Sequence, residues 1–411
     1  MHYIHDKTVS LDEKVSLMQE DAAYDVADND EAVLPDLSFI RETTRARHTP
    51  PKVPKVFLSN DCVFNCAYCG CRSGNECKRR YVSPPRELAE IAVKQAEENR
   101  HGVFITSSIY HNADYTEELI VETLRIIRHE LGYRGYVHAK IMPGADPQLI
   151  YQAGLLANRL SVNIEVAKSE GYDKIARNKN RNNILSPMYQ ISEMIRASKE
   201  EKSRFAPRFA TSQTTQLMAG STDENDRTIL TLANALYAKY RLQRVYYTPF
   251  HYEHEAAGYE GLAKVSVPKW RVHRLYQADR LMQLYGFAPE EIAPDNQPFL
   301  SESLDPKAAW ALRHLDRFPV EVNRADYETL LRVPGIGTTY ASRIVKARQY
   351  CTITHSVLKN LGVSLKRSRH FLTCNGVYEG ATVDNDVVLR PLLADPVDWS
   401  TRQTSLLARA M

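Results

Sequence analysis

Between residues 56 and 248 the chain switches repeatedly between short apolar runs and longer amphipathic ones. Residues 56–60, 103–106, 135–141, 160–165, 214–220 and 244–248 read as strands. Residues 86–99, 114–131, 147–157, 172–176, 187–199 and 223–239 read as the helices between them. In 114–131 the apolar members Leu119, Val121, Leu124, Ile126 and Ile127 recur at helical spacing. Regular strand–helix alternation implies parallel strands joined by helical crossovers. The expected fold is α/β, a partial (β/α)6 barrel, with a doubly wound sheet as the competing layout.

The chain's 411 residues leave room for more than this one domain. Residues 1–50 read as a helical and loop extension, with Ser10 and Glu13 in a capping-box pattern before an amphipathic run. Residues 51–300 hold the barrel and adjoining helices, and 301–411 a helical C-terminal domain. The net charge is only +3, so any polyanion site must be local rather than a global field. No apolar stretch reaches bilayer-spanning length. The first 25 residues are too polar for a secretory signal, and a cytoplasmic setting is expected.

Five of the seven cysteines fall within 62–77, in DCVFNCAYCGCRSGNEC. In a cytoplasmic protein such crowding points to metal or redox chemistry more than to disulfides. Cys62, Cys66 and Cys69 have the spacing C-x3-C-x2-C. Three soft thiolates on one loop suit three irons of a [4Fe–4S] cube with the fourth iron open. A zinc site is the alternative, with Cys71 or Cys77 as fourth ligand. Lys78, Arg79 and Arg80 follow, as a solvated run or a phosphate-facing patch. The loop follows the first strand, at the end of a β/α barrel where active sites gather.

This loop resembles the signature of the radical S-adenosylmethionine (SAM) superfamily, and Tyr68 stands where that family places an aromatic. The resemblance implies a [4Fe–4S] cluster whose open iron chelates S-adenosyl-L-methionine. It implies one-electron cleavage to a 5′-deoxyadenosyl radical, and an electron donor such as flavodoxin or ferredoxin. Where the family has a Gly-Gly-Glu-like segment, this chain has Thr106, Ser107 and Ser108, whose hydroxyls and carbonyls can take the same hydrogen bonds. Arg177 stands near the position from which an arginine binds the cofactor carboxylate in similar enzymes.

Other candidates come from strand parity. His138 and Lys140 share one face of the third strand, and Ser161, Asn163 and Glu165 one face of the fourth. If that face is the lumen, they are cofactor or substrate contacts. Gly220 would let the backbone approach an adenine. Met218, two residues earlier, is either packing or a cofactor contact. Tyr246 and Tyr247 alternate, and Tyr247 is the candidate for the substrate wall. Trp270, Arg271 and Arg274 would cover the opening or pack against it.

Residues 323–350 read as a short helix, the turn Pro334-Gly335-Ile336-Gly337 and a second helix from Thr338. They resemble a helix–hairpin–helix motif of DNA repair proteins, which holds backbone phosphates without reading bases. Arg343, Lys346 and Arg348 add charge, as do Lys366 and Arg367 in the following segment. Together the two halves resemble a bacterial family of radical SAM proteins described in terms of DNA modification or repair. That resemblance implies DNA as partner, with RNA as the alternative, and a small partner protein of DNA metabolism. A radical enzyme on a small molecule or protein, docking through the hairpin, is a second reading. A non-catalytic iron–sulfur DNA-binding protein is a third.

Overall fold

The computed structural model describes residues 11–22, 53–75, 79–252, 259, 265–381 and 386–394. Cys77 and Lys78 lie outside them. The described residues pack as two units, one with 11–22, 53–224 and 235–267, the other with 225–234 and 268–394. The division falls between Val267 and Pro268, ahead of the boundary at 300 expected from the sequence. The reason is the apolar face of Lys269–Tyr285, whose Val272, Leu275 and Ala278 are buried in the second unit.

In the first unit the strands are β1 Lys55–Phe57, β2 Val103–Thr106, β3 Val137–Lys140, β4 Arg159–Ser161, β5 Ser212–Ala219 and β6 Arg244–Pro249. They form one parallel sheet in the order β1-β2-β3-β4-β5-β6. The expected alternation is present, and β1 and β6 are its two edges. The crossovers are α2 Pro85–Asn99, α3 Ala113–Arg125, α4 Pro147–Leu156, the pair α5 Glu170–Ile175 and α6 Arg181–Glu200, and α7 Asp226–Tyr240, of which residues 235–240 belong to this unit. The N-terminal α1, Leu11–Ala22, packs beside β1, and its Lys14 pairs with Glu87 at 2.8 Å.

Register decides which side chains meet. Val56, Ile105, Ala139, Leu160 and Gln213 stand in one row across the sheet. The Gln213 amide donates to the carbonyls of Met188 in α6 and Tyr240 in α7, so this row faces the helices. Burying each Ile or Leu of the row contributes about 1.5–3 kcal/mol. The alternate residues face the other side: Phe104, His138 and Arg159 in one row, Lys140, Ser161 and Thr214 in the next. His138 stacks on Phe104 with ring centroids 4.0 Å apart. Arg159 donates to Ser212 and Gln243 and lies over the Tyr136 ring.

The fourth strand is shorter than the expected 160–165. Glu165 takes φ +63° and rejoins the sheet by a bridge to Leu217 alone. The helix expected from Pro187 starts at Arg181. Asn180 and Asn183 cap its end reciprocally, each side chain accepting the other's backbone N–H, and Pro187 lies inside the helix. Tyr247 pairs with Leu217 and shares parity with Val245 and Gln213, which puts it on the helix side. The substrate-wall expectation for Tyr247 is therefore corrected. Tyr246, opposite Gln216, has the inner parity.

The second unit departs from the all-helical expectation. β7 Val320–Glu321 and β8 Leu372–Thr373 form a small parallel pair, closed by Val320 N–H to Phe371 O and Val322 N–H to Thr373 O. Strands of two residues are too short to show an alternation. Between them, α11 Tyr327–Arg332 and α12 Thr338–Ala347 pack as a helical hairpin around the turn 333–337. Here α8 is Lys269–Tyr285, α9 Pro289–Ile292, α10 Pro306–Arg313, α13 His355–Asn360 and α14 Leu365–Ser368.

Glu117 of α3 is buried, with one carboxyl oxygen accepting the Met142 N–H at 2.9 Å and the other unpartnered. Burial pushes its carboxyl up to about 8. The folded state thus favours the protonated acid. Its stabilising contribution is complete below the unfolded value and is lost as pH rises toward about 8. Glu117→Gln should leave the melting temperature near wild type at pH 5 and raise it above wild type at pH 9. Parallel melting curves across that range check the sign.

Candidate functional site

The loop after β1 begins and ends in the same place. Ser83 N–H donates to Leu58 O, and Ser59 Oγ to Tyr81 O, closing a turn that carries Cys62, Cys66 and Cys69. Backbone bonds set its path: Val63 N–H to Ile109 O after β2, and Ala67 N–H to Ile175 O in α5. Asn65 N–H donates to the Asn178 side chain. The loop therefore reaches over the C-terminal ends of the strands to the segment that follows β4.

Arg80 explains part of the basic run. Its guanidinium donates to the carbonyls of Asn60, Cys71, Arg72 and Asn75, four points on the one loop. Arg80 is thus a staple and not a phosphate-facing charge. Asn60 adds a second tie, donating to Asp21 of α1 and to Arg79 O while accepting from Tyr81 N–H.

The thiols lie within electrostatic range of one another. Burial and the charge of Cys69 raise Cys62, and burial pushes Cys66 up to about 12. Cys69 is held down to about 7 by hydrogen bonding from Cys71 against its own burial, with help from Lys179 and Lys140. Lys179 is the principal nearby cation. Its ammonium pairs with Glu165 at 2.7 Å and donates to the Tyr68 hydroxyl at 3.2 Å. Burial pulls Lys179 down, but the Glu165 carboxylate and the Cys66 thiolate more than offset this and hold it charged. Glu165 is anchored by its own backbone, accepting from Met218 N–H and donating to Gln216 O.

Among the described residues no three His, Cys, Asp or Glu side chains converge on a single metal-ion position. A cube, unlike a single ion, takes its thiolates at separate irons. Ser107, Ser108 and Ser161 hydroxyls and the second carboxylate oxygen of Glu165 are buried without a hydrogen-bond partner among the described residues. Buried polar atoms are seldom left unmatched.

Residues 56–236, which lie mostly in the first unit, match the family model of the Radical SAM superfamily. A biotin synthase of Leptospira biflexa serovar Patoc is 26% identical over 178 residues, 42% of this chain and 49% of the relative. The chain thus aligns with about half the length of this curated relative. Among solved structures, the FeFe-hydrogenase maturase HydG from Carboxydothermus hydrogenoformans aligns with TM-score 0.44 and 16% identity, covering 66% of this chain and 60% of that one. Methylornithine synthase (PylB) gives TM-score 0.44 and 17% identity, covering 66% and 74%.

Members of the superfamily are enzymes that use a [4Fe–4S] cluster and S-adenosylmethionine. The residues present fit both groups. Cys62, Cys66 and Cys69 are the soft donors a cube requires. The unmatched Ser107, Ser108, Ser161 and Glu165 atoms suit the amino and hydroxyl groups of the cofactor.

The remaining sequence candidates fall at varying distances from this centre. Tyr68 is half-buried beside Glu165 and Lys179, and desolvation raises its phenol. Thr106 and Asn163 are buried, Thr106 at the end of β2 and Asn163 just past β4. Met218 pairs across to Thr248, and Gly220 follows with φ +76° and its N–H on Glu224. Arg177, the cation favoured from sequence, stacks on Tyr259 at 4.8 Å and donates to Asp173 O. Lys179, two residues on, is the cation that reaches the thiols. Nothing in the pattern ARNKNRNN separates the two, because the Asn180 cap that sets the loop's end is a tertiary choice.

Replacing Cys62, Cys66 or Cys69 singly by Ala should abolish iron–sulfur absorbance after anaerobic reconstitution. Cys71→Ala should retain it. Arg80→Met should fold but take up well under half the wild-type iron, because four loop carbonyls lose their donor. Iron and sulfide assays on the reconstituted proteins check all three.

Proposed function

We propose that this chain is a radical SAM enzyme acting on a nucleic acid, most simply DNA, to modify a base or reverse a lesion. When bound, the cluster would pass one electron from a donor such as flavodoxin or ferredoxin into S-adenosylmethionine, breaking its C5′–S bond to methionine and a 5′-deoxyadenosyl radical. The chain's own part is to hold and shield. Lys179 and Lys140 balance thiolate charge, Tyr68 and Glu165 hold Lys179, and the serines at the strand ends position the cofactor.

The observation that carries the nucleic-acid half is the turn between α11 and α12. Gly335 is exposed with φ +87°, a conformation that side chains with a Cβ rarely adopt. The following Gly337 caps α12 with no side-chain hydrogen bond, and although the Thr338 N–H is taken by the Tyr285 hydroxyl, the other first-turn amides of this ten-residue helix can face an anion. The Ile336 side chain is buried and its backbone alone serves the turn. Thr338 opens α12, and Lys346 and Lys366 are exposed. Three of the cations read from the sequence are engaged within the unit. Arg343 donates to Leu361 O, Arg348 to Ala325 O, and Arg367 pairs with Asp305 at 2.6 Å. The grip is thus chiefly backbone amides with a few lysines, which suits phosphates read without sequence.

The alternative, a radical enzyme on a small molecule, draws on the similarity to biotin synthase. Incubation of reconstituted protein with S-adenosylmethionine, dithionite and defined DNA separates the two. The nucleic-acid reading expects 5′-deoxyadenosine and an altered nucleoside by mass spectrometry. Cofactor cleavage indifferent to DNA, with no salt-dependent DNA binding, would falsify it. Gly335→Ala with Gly337→Ala should weaken DNA binding about tenfold or more while leaving iron content unchanged, because the added Cβ at 335 would meet Ser368 N at 3.3 Å in a strained backbone. Fluorescence anisotropy and iron assay of the same sample check this.

A further inference from the structure

We propose that Lys307 is a positioning residue of the hairpin, acting on a bound phosphate through the single peptide group between Ile336 and Gly337. The inference rests on the nucleic-acid reading above and names what regulates that site.

Lys307 is the second residue of α10 and only 8% exposed. Its ammonium donates to Ile336 O, on the inner side of the turn, and lies 4.8 Å from the centre of the Tyr285 ring at the end of α8. The Ile336–Gly337 bond is trans, since the one cis peptide among the described residues is Phe318–Pro319. In a trans peptide the carbonyl and the N–H point to opposite sides. A carbonyl held inward by Lys307 therefore turns the Gly337 N–H outward, toward the mouth of α12 where an anion is expected. A cation on the carbonyl also polarises that N–H and makes it a stronger donor. Lys307 thus reaches the phosphate without touching it.

The charges facing Lys307 are few. Asp305, the cap of its own helix, attracts it but is shared with Arg367 of α14. Arg332 of α11 repels it and is itself paired with Glu291 of α9 and stacked on Phe287. Tyr285 presents its ring from α8, and its hydroxyl accepts the Thr338 N–H beside Gly337. With its one carboxylate shared, burial brings Lys307 down to about 7. Its charge is present below that value and lost as pH rises through it. The phosphodiester backbone does not titrate there, so a pH dependence would originate in the protein.

Anisotropy of a labelled DNA duplex with the whole protein, at fixed salt from about pH 6 to about pH 8.5, tests this. Wild-type affinity should fall about three- to tenfold across the range, the worth of one charge acting at close range through protein. Lys307→Met should bind at every pH as weakly as wild type does at the alkaline end. Lys307→Arg should bind tightly throughout, with the pH dependence gone. The slope of affinity against salt should be unchanged in all three, because no phosphate contact is added or removed. A flat wild-type profile overturns the proposal without any variant, as does a profile that Lys307→Arg leaves intact. Absence of wild-type binding even at the acid end and low salt overturns instead the nucleic-acid reading beneath it.

Discussion

Three cysteines on eight consecutive residues must ionise together to hold a cube, and the groups around them in the first unit lower the cost of that charge. Buried thiolates cost free energy unless cations and donors face them. Lys179 and Lys140 supply the charge, from the segment after β4 and from β3. Lys179 is itself only partly exposed and needs its own anchors, which are Glu165 and the Tyr68 hydroxyl. Glu165 in turn leaves regular strand geometry with φ +63° to stand there. The early end of β4, the left-handed residue and the aromatic within the cysteine loop thus follow from one electrostatic requirement. Backbone strain of this sort commonly accumulates at working sites.

The sheet was legible because its signal is periodic. Six apolar runs at regular spacing give six parallel strands in sequential order, and parity correctly grouped His138 with Lys140 and placed Ser161 on their face. Parity alone could not choose between Tyr246 and Tyr247. That choice depends on Tyr247 falling opposite Leu217, a pairing set by where β5 begins. The cysteine spacing was equally legible, being local. What the sequence hid were side chains whose partners lie far along the chain. Arg80 looks like part of a surface charge run but ends on four carbonyls of its own loop. Arg177 and Lys179 look interchangeable, and only folding sends one to Tyr259 and the other to Glu165 and Tyr68, where its charge acts on the thiols.

The second unit teaches the same lesson about charge. Arg348 and Arg367 stand where a phosphate grip would want them in sequence, yet both terminate on groups of their own unit. Asp305 illustrates the economy of this packing: it caps α10 through the Lys307 and Ala308 amides and pairs with Arg367. The turn of the hairpin is bounded by α14 on one side and by the buried ammonium of Lys307 on the other. A turn supported this way loses little conformational freedom when a ligand arrives, and such preorganisation favours affinity.

The Arg80 staple has a further consequence. Its four hydrogen bonds join one side chain to main-chain carbonyls, and no metal takes part in them. The path of the loop on either side of the three thiols is therefore set by the polypeptide itself. Iron lost to oxygen would leave behind a shaped vessel and not a collapsed strand of chain. A loop held in that shape would take up iron and sulfide again for as long as the sulfurs themselves stay reduced.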